Sequence, residues 1–247
     1  MRSLHRRAAV VFAALAALAW AQDGSDPAPA QPVEAQEELD AAIAEFQAAD
    51  AALNEAYARA EEALWPAAFD RLRLDQRDWL AARDLSAEAY ARIQSGPDVA
   101  DVRATSHFHE YRTILTEDRT ELLVALAAYY EDPGAQVWEG LWVDGAGGRL
   151  AVQELADGRL RFQLSVVRSP ALHTGWLEGV AERNGDLARY QTEFATADGE
   201  ETVWAFFVRD GPYLLVRTAN ASFFAGARAY FDGDYVRLRD LEPFDLD

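Results

Sequence analysis

The chain of 247 residues contains no cysteine, and this absence removes several classes of site at once. Disulfide bonds, thiolate metal sites and lipid attachment at a processed N-terminal cysteine are all excluded. A cysteine nucleophile is excluded for the same reason. We therefore expect the folded chain to be stabilised by core packing alone.

Long hydrophobic runs are also scarce, and the one that is present lies at the N-terminus. Three arginines precede an apolar stretch at residues 8–20, and the small-x-small sequence Ala19-Trp20-Ala21 ends it. This combination is typical of a secretory signal peptide (residues 1–21), and we predict cleavage after Ala21. A membrane anchor is the less favoured alternative, because the apolar run is shorter than the ~20 residues that a spanning helix needs. The mature chain is therefore predicted to be periplasmic or secreted, with no transmembrane segment.

Known catalytic motifs are missing from the sequence. It has no Gly-rich phosphate loop, no G-x-S-x-G elbow and no H-E-x-x-H helix. Carboxylates are abundant, but no pair is placed in the two distinct environments that general acid–base catalysis requires. We predict that the protein is not an enzyme and that it needs no cofactor.

His107 and His109 form the one close histidine pair in the sequence. On a helix, residues two apart point in different directions, so these side chains would not converge on a metal ion. They would share a face only if residues 105–109 were extended. We predict no metal site.

Acidic residues far outnumber basic ones. The chain has 42 acidic residues and 23 basic residues, all arginine, and a formal charge of −19. Three of the arginines and no acid lie in residues 1–21, so the mature chain has 42 acids against 20 arginines, a charge of −22. Such a field repels nucleic acid and anionic membranes and attracts basic partners. A solubilising surface has the same composition, so charge alone does not identify a partner.

Periodicity predicts a helical N-terminal half. Residues 22–36 are rich in proline, alanine and acid and predict a disordered linker. Helical spacing of apolar residues then predicts helices at about 37–65, 67–94 and 98–130, with an interruption near Thr105. Their short connections favour an antiparallel three-helix bundle.

One stripe of the second predicted helix contains polar residues. Gln76 and Arg83 fall on the same face as Leu72 and Trp79. A polar group on a buried face needs a partner, because leaving it unpaired costs about 1–3 kcal/mol. The nearest candidate in the preceding helix is Asn54. We therefore predict a helical hairpin that is locked by a small polar cluster.

The C-terminal half changes from helical to alternating periodicity. Apolar runs are separated by turn dipeptides at Asp144-Gly145, Asp157-Gly158, Asn184-Gly185, Asp198-Gly199, Asp210-Gly211 and Asp232-Gly233. They predict eight antiparallel strands, at 136–143, 148–155, 159–167, 173–183, 187–195, 201–208, 212–218 and 234–239. Such a meander should close as a small barrel or fold as a sandwich, with residues 223–227 as a loop that plugs one end.

The fold class predicted is therefore α+β, with two domains. A helical domain occupies residues 37–131, and an all-β domain occupies residues 132–247.

The predicted hairpin resembles a known family. The residues that carry the resemblance are Leu53, Asn54, Tyr57, Leu74, Gln76, Arg77, Trp79, Arg83 and Asp84, followed by Thr116, Arg119 and Leu122. Over residues 45–130 they resemble the lysozyme inhibitor LprI-like N-terminal domain, a helical module of secreted and envelope proteins. A cysteine often follows the arginine–aspartate pair in that family, but residues 85–88 here contain none. Any disulfide of the relatives is therefore absent.

The resemblance implies a non-catalytic binding protein. It would inhibit a basic lysozyme-like glycoside hydrolase, with acidic side chains or an exposed loop occluding the enzyme's cleft. Within the family-like set, Gln76 and Arg83 are interpreted as fold determinants because the stripe places them inside. Arg77 and Asp84 lie beside the stripe and could form a recognition patch, although a structural role is favoured.

The β domain leaves a second class of function open. Gly140-Leu141-Trp142 resembles the G-x-W that begins lipocalin-type barrels, in which a late arginine, here Arg237 or Arg239, stacks on the tryptophan. The aromatic residues that could line a ligand cavity, or more simply fill the core, are Trp142, Phe162, Trp176, Trp204, Phe206 and Tyr213. The alternatives to an inhibitor are therefore a small-molecule or lipid-binding β-barrel and a structural envelope interaction module.

Overall fold

In the computed structural model of the chain, three helices precede eight strands that form one closed barrel. The predicted α+β, two-domain architecture is confirmed. The described residues are 32–132, 137–168, 173–196, 199–226, 229–242 and 245–246. The predicted signal peptide and most of the predicted linker lie outside them.

The helical domain consists of α1 (Pro32–Ala63), α2 (Pro66–Ser95) and α3 (Ser106–Glu131). Helix α1 begins five residues earlier than predicted, with a proline in the first position, where a missing N–H costs nothing. Pro66 likewise occupies the first position of α2.

The third helix was predicted to start near residue 98, but residues 98–101 are not helical and α3 begins only after Thr105, where the interruption was predicted. A short 3₁₀ helix (Val102–Ala104) precedes α3, and the Thr105 hydroxyl accepts a hydrogen bond from the Phe108 N–H at 3.4 Å. This side chain therefore caps the N-terminus of α3.

Helix α3 is the central element of the bundle. It packs along both other helices, whereas α1 and α2 meet mainly through their side chains. Leu53 and Leu64 of α1, Leu72 of α2 and Leu122 and Leu126 of α3 share one buried cluster. Helix α3 therefore provides the surface on which both other helices pack.

The eight strands form a sequential antiparallel meander. They are β1 (Gly140–Val143), β2 (Gly148–Glu154), β3 (Leu160–Arg168), β4 (His173–Asn184), β5 (Leu187–Thr196), β6 (Gly199–Asp210), β7 (Tyr213–Ala219) and β8 (Gly233–Arg239). Strand β8 pairs with β1, so the sheet closes as a barrel and not as a sandwich. Closure removes the exposed edges that an open meander would leave.

Most of the turn dipeptides act as predicted. Gly145, Gly158, Gly185 and Gly211 all have positive φ angles, as tight turns require. Asp232-Gly233 does not form a hairpin turn: Gly233 begins β8, and Asp232 accepts a hydrogen bond from the Thr218 N–H at 2.8 Å. A longer connection with a 3₁₀ helix (Ala221–Phe224) joins β7 to β8.

The barrel interior is filled by inward-facing apolar side chains with almost no exposed surface. They are Trp142, Leu150, Val152, Leu160, Phe162, Leu164, Val166, Leu177, Ala181, Ala188, Val203, Ala205, Phe207, Leu214, Val216 and Tyr235. Two of the six predicted core or cavity aromatics, Trp142 and Phe162, belong to this set.

The other aromatic residues of the prediction lie outside the barrel. Trp204 and Phe206 alternate with the buried residues of β6 and therefore point outward, where their rings stack with centroids 6.0 Å apart. Trp176 is 46% exposed on β4. Tyr213 packs against the helical cluster. Assigning them to the interior was wrong, because it ignored the two-residue period of each strand.

The lipocalin-like arginine is also placed differently. Arg237 donates to the carbonyl oxygen of Glu139 at 2.8 Å, and Arg239 is paired with Asp245. The guanidinium that lies over a core tryptophan is that of Arg209, 5.0 Å from the Trp138 ring centroid. The predicted stacking on Trp142 is therefore wrong.

The barrel has a seam between β4 and β5. These strands pair only next to their hairpin, where residues 182–184 face 187–189. Beyond it, the Tyr190 ring packs against Gly179, at which a Cβ would lie 2.3 Å from Tyr190 Cε2. At the far end of the seam, Ala225 forms a bridge with Gly175. The segment predicted to plug one end thus lies against the start of β4, with residue 227 outside the described residues.

The outer surface of the barrel packs on α3. Val236 of β8 is buried in the helical cluster with Leu122 and Leu126, and Arg149 of β2 pairs with Glu121 at 2.6 Å. Gly145, in the β1–β2 turn, lies directly against Leu122. The two domains therefore share a packed interface.

Replacing Gly145 by alanine tests this interface. A Cβ there would lie 2.8 Å from Leu122 Cδ2, and the backbone has a φ of +69°. We expect a loss of about 2–4 kcal/mol in the free energy of unfolding, from backbone strain and overpacking together. Gly185→Ala is the matched control, because Gly185 has a φ of +61° and no neighbouring atom within 4 Å. It should lose only about 1 kcal/mol in the same urea titration, and equal losses would contradict the interface.

Candidate functional site

The described helices gather three arginines around two aromatic rings. Arg83 lies over Phe46 and Trp79, with its Cζ 5.2 Å and 5.4 Å from their ring centroids. Arg112 lies 3.8 Å from the Phe46 centroid, and Arg119 lies 5.6 Å from that of Trp79. We call Phe46, Trp79, Arg83, Arg112 and Arg119 the arginine–aromatic network. Cation–π contacts of this kind contribute about 0.5–2 kcal/mol each.

Arg83 is only 6% exposed, and its guanidinium has three hydrogen-bond partners. Its guanidinium donates to Asp50 at 3.2 Å, to Asp84 at 2.9 Å and to the Thr116 hydroxyl at 3.4 Å. The predicted partner Asn54 is instead exposed and donates to Asp50 at 3.5 Å. Asp50 lies one turn before Asn54 on α1, so the right face was predicted but not the right residue.

Gln76 and Arg119 pair with each other across the bundle. Arg119 Nε donates to Gln76 Oε1 at 2.8 Å, and its Nη2 also pairs with Asp75. Gln76 is 8% exposed, so its burial follows the predicted stripe. The predicted partner, Asn54, belongs to the first helix. The observed partner, Arg119, belongs to the third. A pairwise hairpin argument missed this, because α3 lies between the other two helices.

The network is close to neutral overall. Arg112 pairs with Asp84 at 3.1 Å, so three arginines face the three aspartates Asp50, Asp75 and Asp84. Burial lowers the pKa of Arg112, and Arg83 adds to this, while Asp84 and Asp50 raise it. The arrangement can hold the three helices together, because each guanidinium group is paired with an aspartate. Of these residues, Asp50, Asp75, Phe46 and Arg112 were missed by sequence reasoning.

The remaining family-like residues lie outside the network. Tyr57 packs against Phe69 with ring centroids 5.3 Å apart, and burial raises the pKa of its phenol. Arg77 is exposed on α2. That the family-like residues are mainly structural stays a prediction.

The two histidines of α3 point in different directions. His107 faces Glu110, with Nδ1 and Oε2 3.5 Å apart, whereas His109 packs against Phe108 and Phe46. Burial lowers the pKa of His109, and the nearby Arg112 lowers it further. Within the described ranges, no group of three or more His, Cys, Asp or Glu side chains is placed to hold a metal ion.

One surface of the helical domain is strongly acidic. Helix α1 exposes Glu37, Glu38, Asp40, Glu45, Glu55, Glu61 and Glu62, which we call the α1 acidic face. The single arginine of α1, Arg59, is paired with Glu131. With seven acids in the face and one arginine on α1, the face has a negative net charge, in contrast to the neutral network.

A cleft of about 910 Å³ lies between the helical domain and the barrel. Its helical wall includes Trp65 and Tyr130, and its barrel wall includes Tyr213 and Tyr230. Leu72, Leu126 and Val236 contribute apolar surface between these walls.

A buried ion pair closes the barrel end beside this cleft. Arg168 Nη1 lies 2.6 Å from Asp144 Oδ2, and both side chains are at most 6% exposed. Arg168 also donates to the carbonyl oxygens of Tyr230 and Ala146, at 2.9 Å and 3.0 Å. Burial alone would lower the pKa of Arg168, but Asp144 raises it above its ordinary value. Burial raises the pKa of the neighbouring Tyr235 far above its usual range.

No helix among the described residues is long and apolar enough to cross a membrane. Residues 28–123 match the sequence model of a family described as lysozyme inhibitor LprI. The predicted resemblance is thereby confirmed for the N-terminal region. Neither the curated proteins nor the solved structures include a significant match to the chain.

Proposed function

We propose that this protein is a secreted or periplasmic, non-catalytic inhibitor of a basic lysozyme-like glycoside hydrolase. The observation that carries the proposal is the match of residues 28–123 to the lysozyme inhibitor LprI family. The match spans all described residues of α1, all of α2 and the first two thirds of α3. The barrel lies outside the match, so we assign the inhibitory contact to the helical domain.

Within the helical domain, the α1 acidic face is the surface best suited to a basic enzyme. The buried arginines of the network are occupied by aspartates, which leaves them little freedom to bind a partner. Glu38, Glu45, Glu55 and Glu62 lie within an arc of roughly 120° on α1, given 100° per residue. Such a line of carboxylates would steer a cationic partner and make association sensitive to salt.

The proposed inhibition is tested by measuring the lysis of cell-wall substrate by a cationic lysozyme, with and without the purified mature protein. We expect inhibition that saturates at a fixed stoichiometry and persists at near-physiological salt, although its onset is slower there. Inhibition that is present only at low salt would indicate non-specific charge pairing. Lysis that is unaffected across several lysozyme types would refute the proposed function.

Charge-matched variants locate the contact. The test variant carries Glu38→Gln, Glu45→Gln, Glu55→Gln and Glu62→Gln on α1. Exposed ion pairs contribute about 0.2–1 kcal/mol each, so the loss of four should weaken inhibition by a factor between about 4 and 1,000.

The matched control removes four exposed carboxylates from the barrel, at Glu178, Glu182, Glu193 and Glu200. Both variants have the same net charge, so a global field effect would weaken both equally. We expect the barrel variant to inhibit like the parent protein. Equal loss in both variants would indicate a global field effect and would contradict a contact on α1.

A further inference from the structure

The cleft between the two domains has features that the proposed inhibition does not use. Aromatic rings line it on the helical side and on the barrel side. Trp65, in the α1–α2 connection, is 64% exposed, and its ring packs on one side against Tyr130, with centroids 6.1 Å apart. Tyr230, on the opposite wall, is 56% exposed, and Arg168 lies 4.5 Å from its ring centroid. Each ring thus lines the cleft, is held in position by a neighbour and belongs to a residue that is more than half exposed.

The polar groups of the cleft include several that are available to a ligand. Among the described residues, the Arg71 guanidinium, the Asp210 carboxylate and the hydroxyls of Tyr130 and Tyr213 make no hydrogen bond. Asp232 uses only its Oδ1, which accepts from the N–H and the hydroxyl of Thr218. The cleft therefore offers both donors and acceptors.

The charges of the cleft largely cancel. Three ion pairs join residues of its own lining: Arg119 with Asp75, Arg168 with Asp144, and Arg217 with Asp234. What remains is one arginine, Arg71, and two aspartates. A strongly cationic or anionic ligand would find little net attraction here, in contrast to the α1 acidic face.

These features fit one class of ligand. A sugar ring has a face of C–H groups that stacks on an aromatic ring, and an edge of hydroxyl groups that both donate and accept hydrogen bonds. Binding pockets have volumes of about 300–1,000 Å³, and the cleft is near the upper end of this range, which suits a chain of sugars. We propose that the cleft between the helical domain and the barrel binds an uncharged oligosaccharide, with Trp65 and Tyr230 as its stacking platforms.

The test is a calorimetric titration of the full mature chain, without any lysozyme, with two probes. These are the β-1,4-linked trimers of glucose and of N-acetylglucosamine. We expect saturable binding of at least one trimer, weakened about tenfold or more by Trp65→Ala and by Tyr230→Ala. Trp176→Ala removes an exposed tryptophan from the outer surface of the barrel and should bind like the parent chain. Circular dichroism before and after heating shows that each variant is folded.

Three results would overturn the proposal. One is that neither trimer gives a heat of binding at millimolar concentration. Another is binding that survives both Trp65→Ala and Tyr230→Ala, which would put the sugar elsewhere. Preferential binding of a trilysine or triaspartate peptide would likewise refute an uncharged ligand. Because no lysozyme is present, a negative result leaves the proposed inhibition untouched, and the lysis assay is unaffected by a positive one.

Discussion

Replacing Arg168 by leucine is expected to cost about 3–5 kcal/mol of the free energy of unfolding. The substitution leaves the Asp144 carboxylate at the barrel end without its cation, although Asp144 is only 6% exposed. Two backbone N–H groups, of Ala146 and Gly148, still donate to Asp144 Oδ1 and offset part of the loss. Urea denaturation followed by circular dichroism measures the change.

A control variant and a double variant test whether the loss of stability comes from the unpaired Asp144 carboxylate. Arg183→Leu removes an arginine that is 27% exposed and whose Nη1 lies 2.8 Å from Glu154 Oε1, and it should change stability by at most about 1 kcal/mol. The double variant Arg168→Leu with Asp144→Asn should be more stable than Arg168→Leu alone, because no buried charge is left unpaired. If Arg168→Leu costs no more than Arg183→Leu, the buried pair does not stabilise the barrel.

Replacing Arg119 by methionine should be the most damaging single change in the arginine–aromatic network, at about 2–4 kcal/mol. It removes a charge-assisted hydrogen bond and leaves the buried Gln76 amide without its donor. Asp75 is 60% exposed and can be solvated, so the main loss comes from Gln76. The free energy of unfolding is again the quantity to measure.

A second substitution, at Gln76, tests this explanation. Gln76→Leu combined with Arg119→Met replaces both members of the pair by apolar side chains and should recover most of the loss. Arg77→Met changes an exposed family-like residue on α2, next to Gln76. The free energy of unfolding of this variant should stay within about 0.5 kcal/mol of the parent value. If the Arg119→Met protein is as stable as the parent but no longer inhibits lysozyme, the network is a recognition site and not a scaffold.

Local patterns in the sequence were enough to predict the elements. Helical spacing predicted all three helices, although the third begins at Ser106 and not near residue 98. Turn dipeptides with alternating residues predicted all eight strands, with ends within about two residues of the observed ones except at the start of β1 (Gly140 and not residue 136). These signals act over a few residues, so they do not depend on the tertiary fold. Asp232-Gly233 shows the limit, because the same dipeptide here receives a hydrogen bond from Thr218 and begins a strand.

Partners that are distant in the chain were predicted less well. The stripe on α2 predicted that Gln76 and Arg83 would be buried, but Asn54 was the wrong partner, because α3 supplies Arg119 and Thr116. The cleft was not predicted at all. Trp65 and Tyr230 are 165 residues apart and carry no shared periodicity, so only the docking of the two domains brings them to one cleft.

The position of α3 limits how freely this helical module could be combined with other domains in evolution. The end of the family-like stretch, at Leu122, packs both in the bundle and against the β1–β2 turn of the barrel. A recombination that joined residues 28–123 to an unrelated domain would expose that leucine. It would also remove Leu126 and the last two turns of α3. A new partner would have to offer an apolar surface of matching shape. The two halves of this chain are therefore constrained to change together at their boundary.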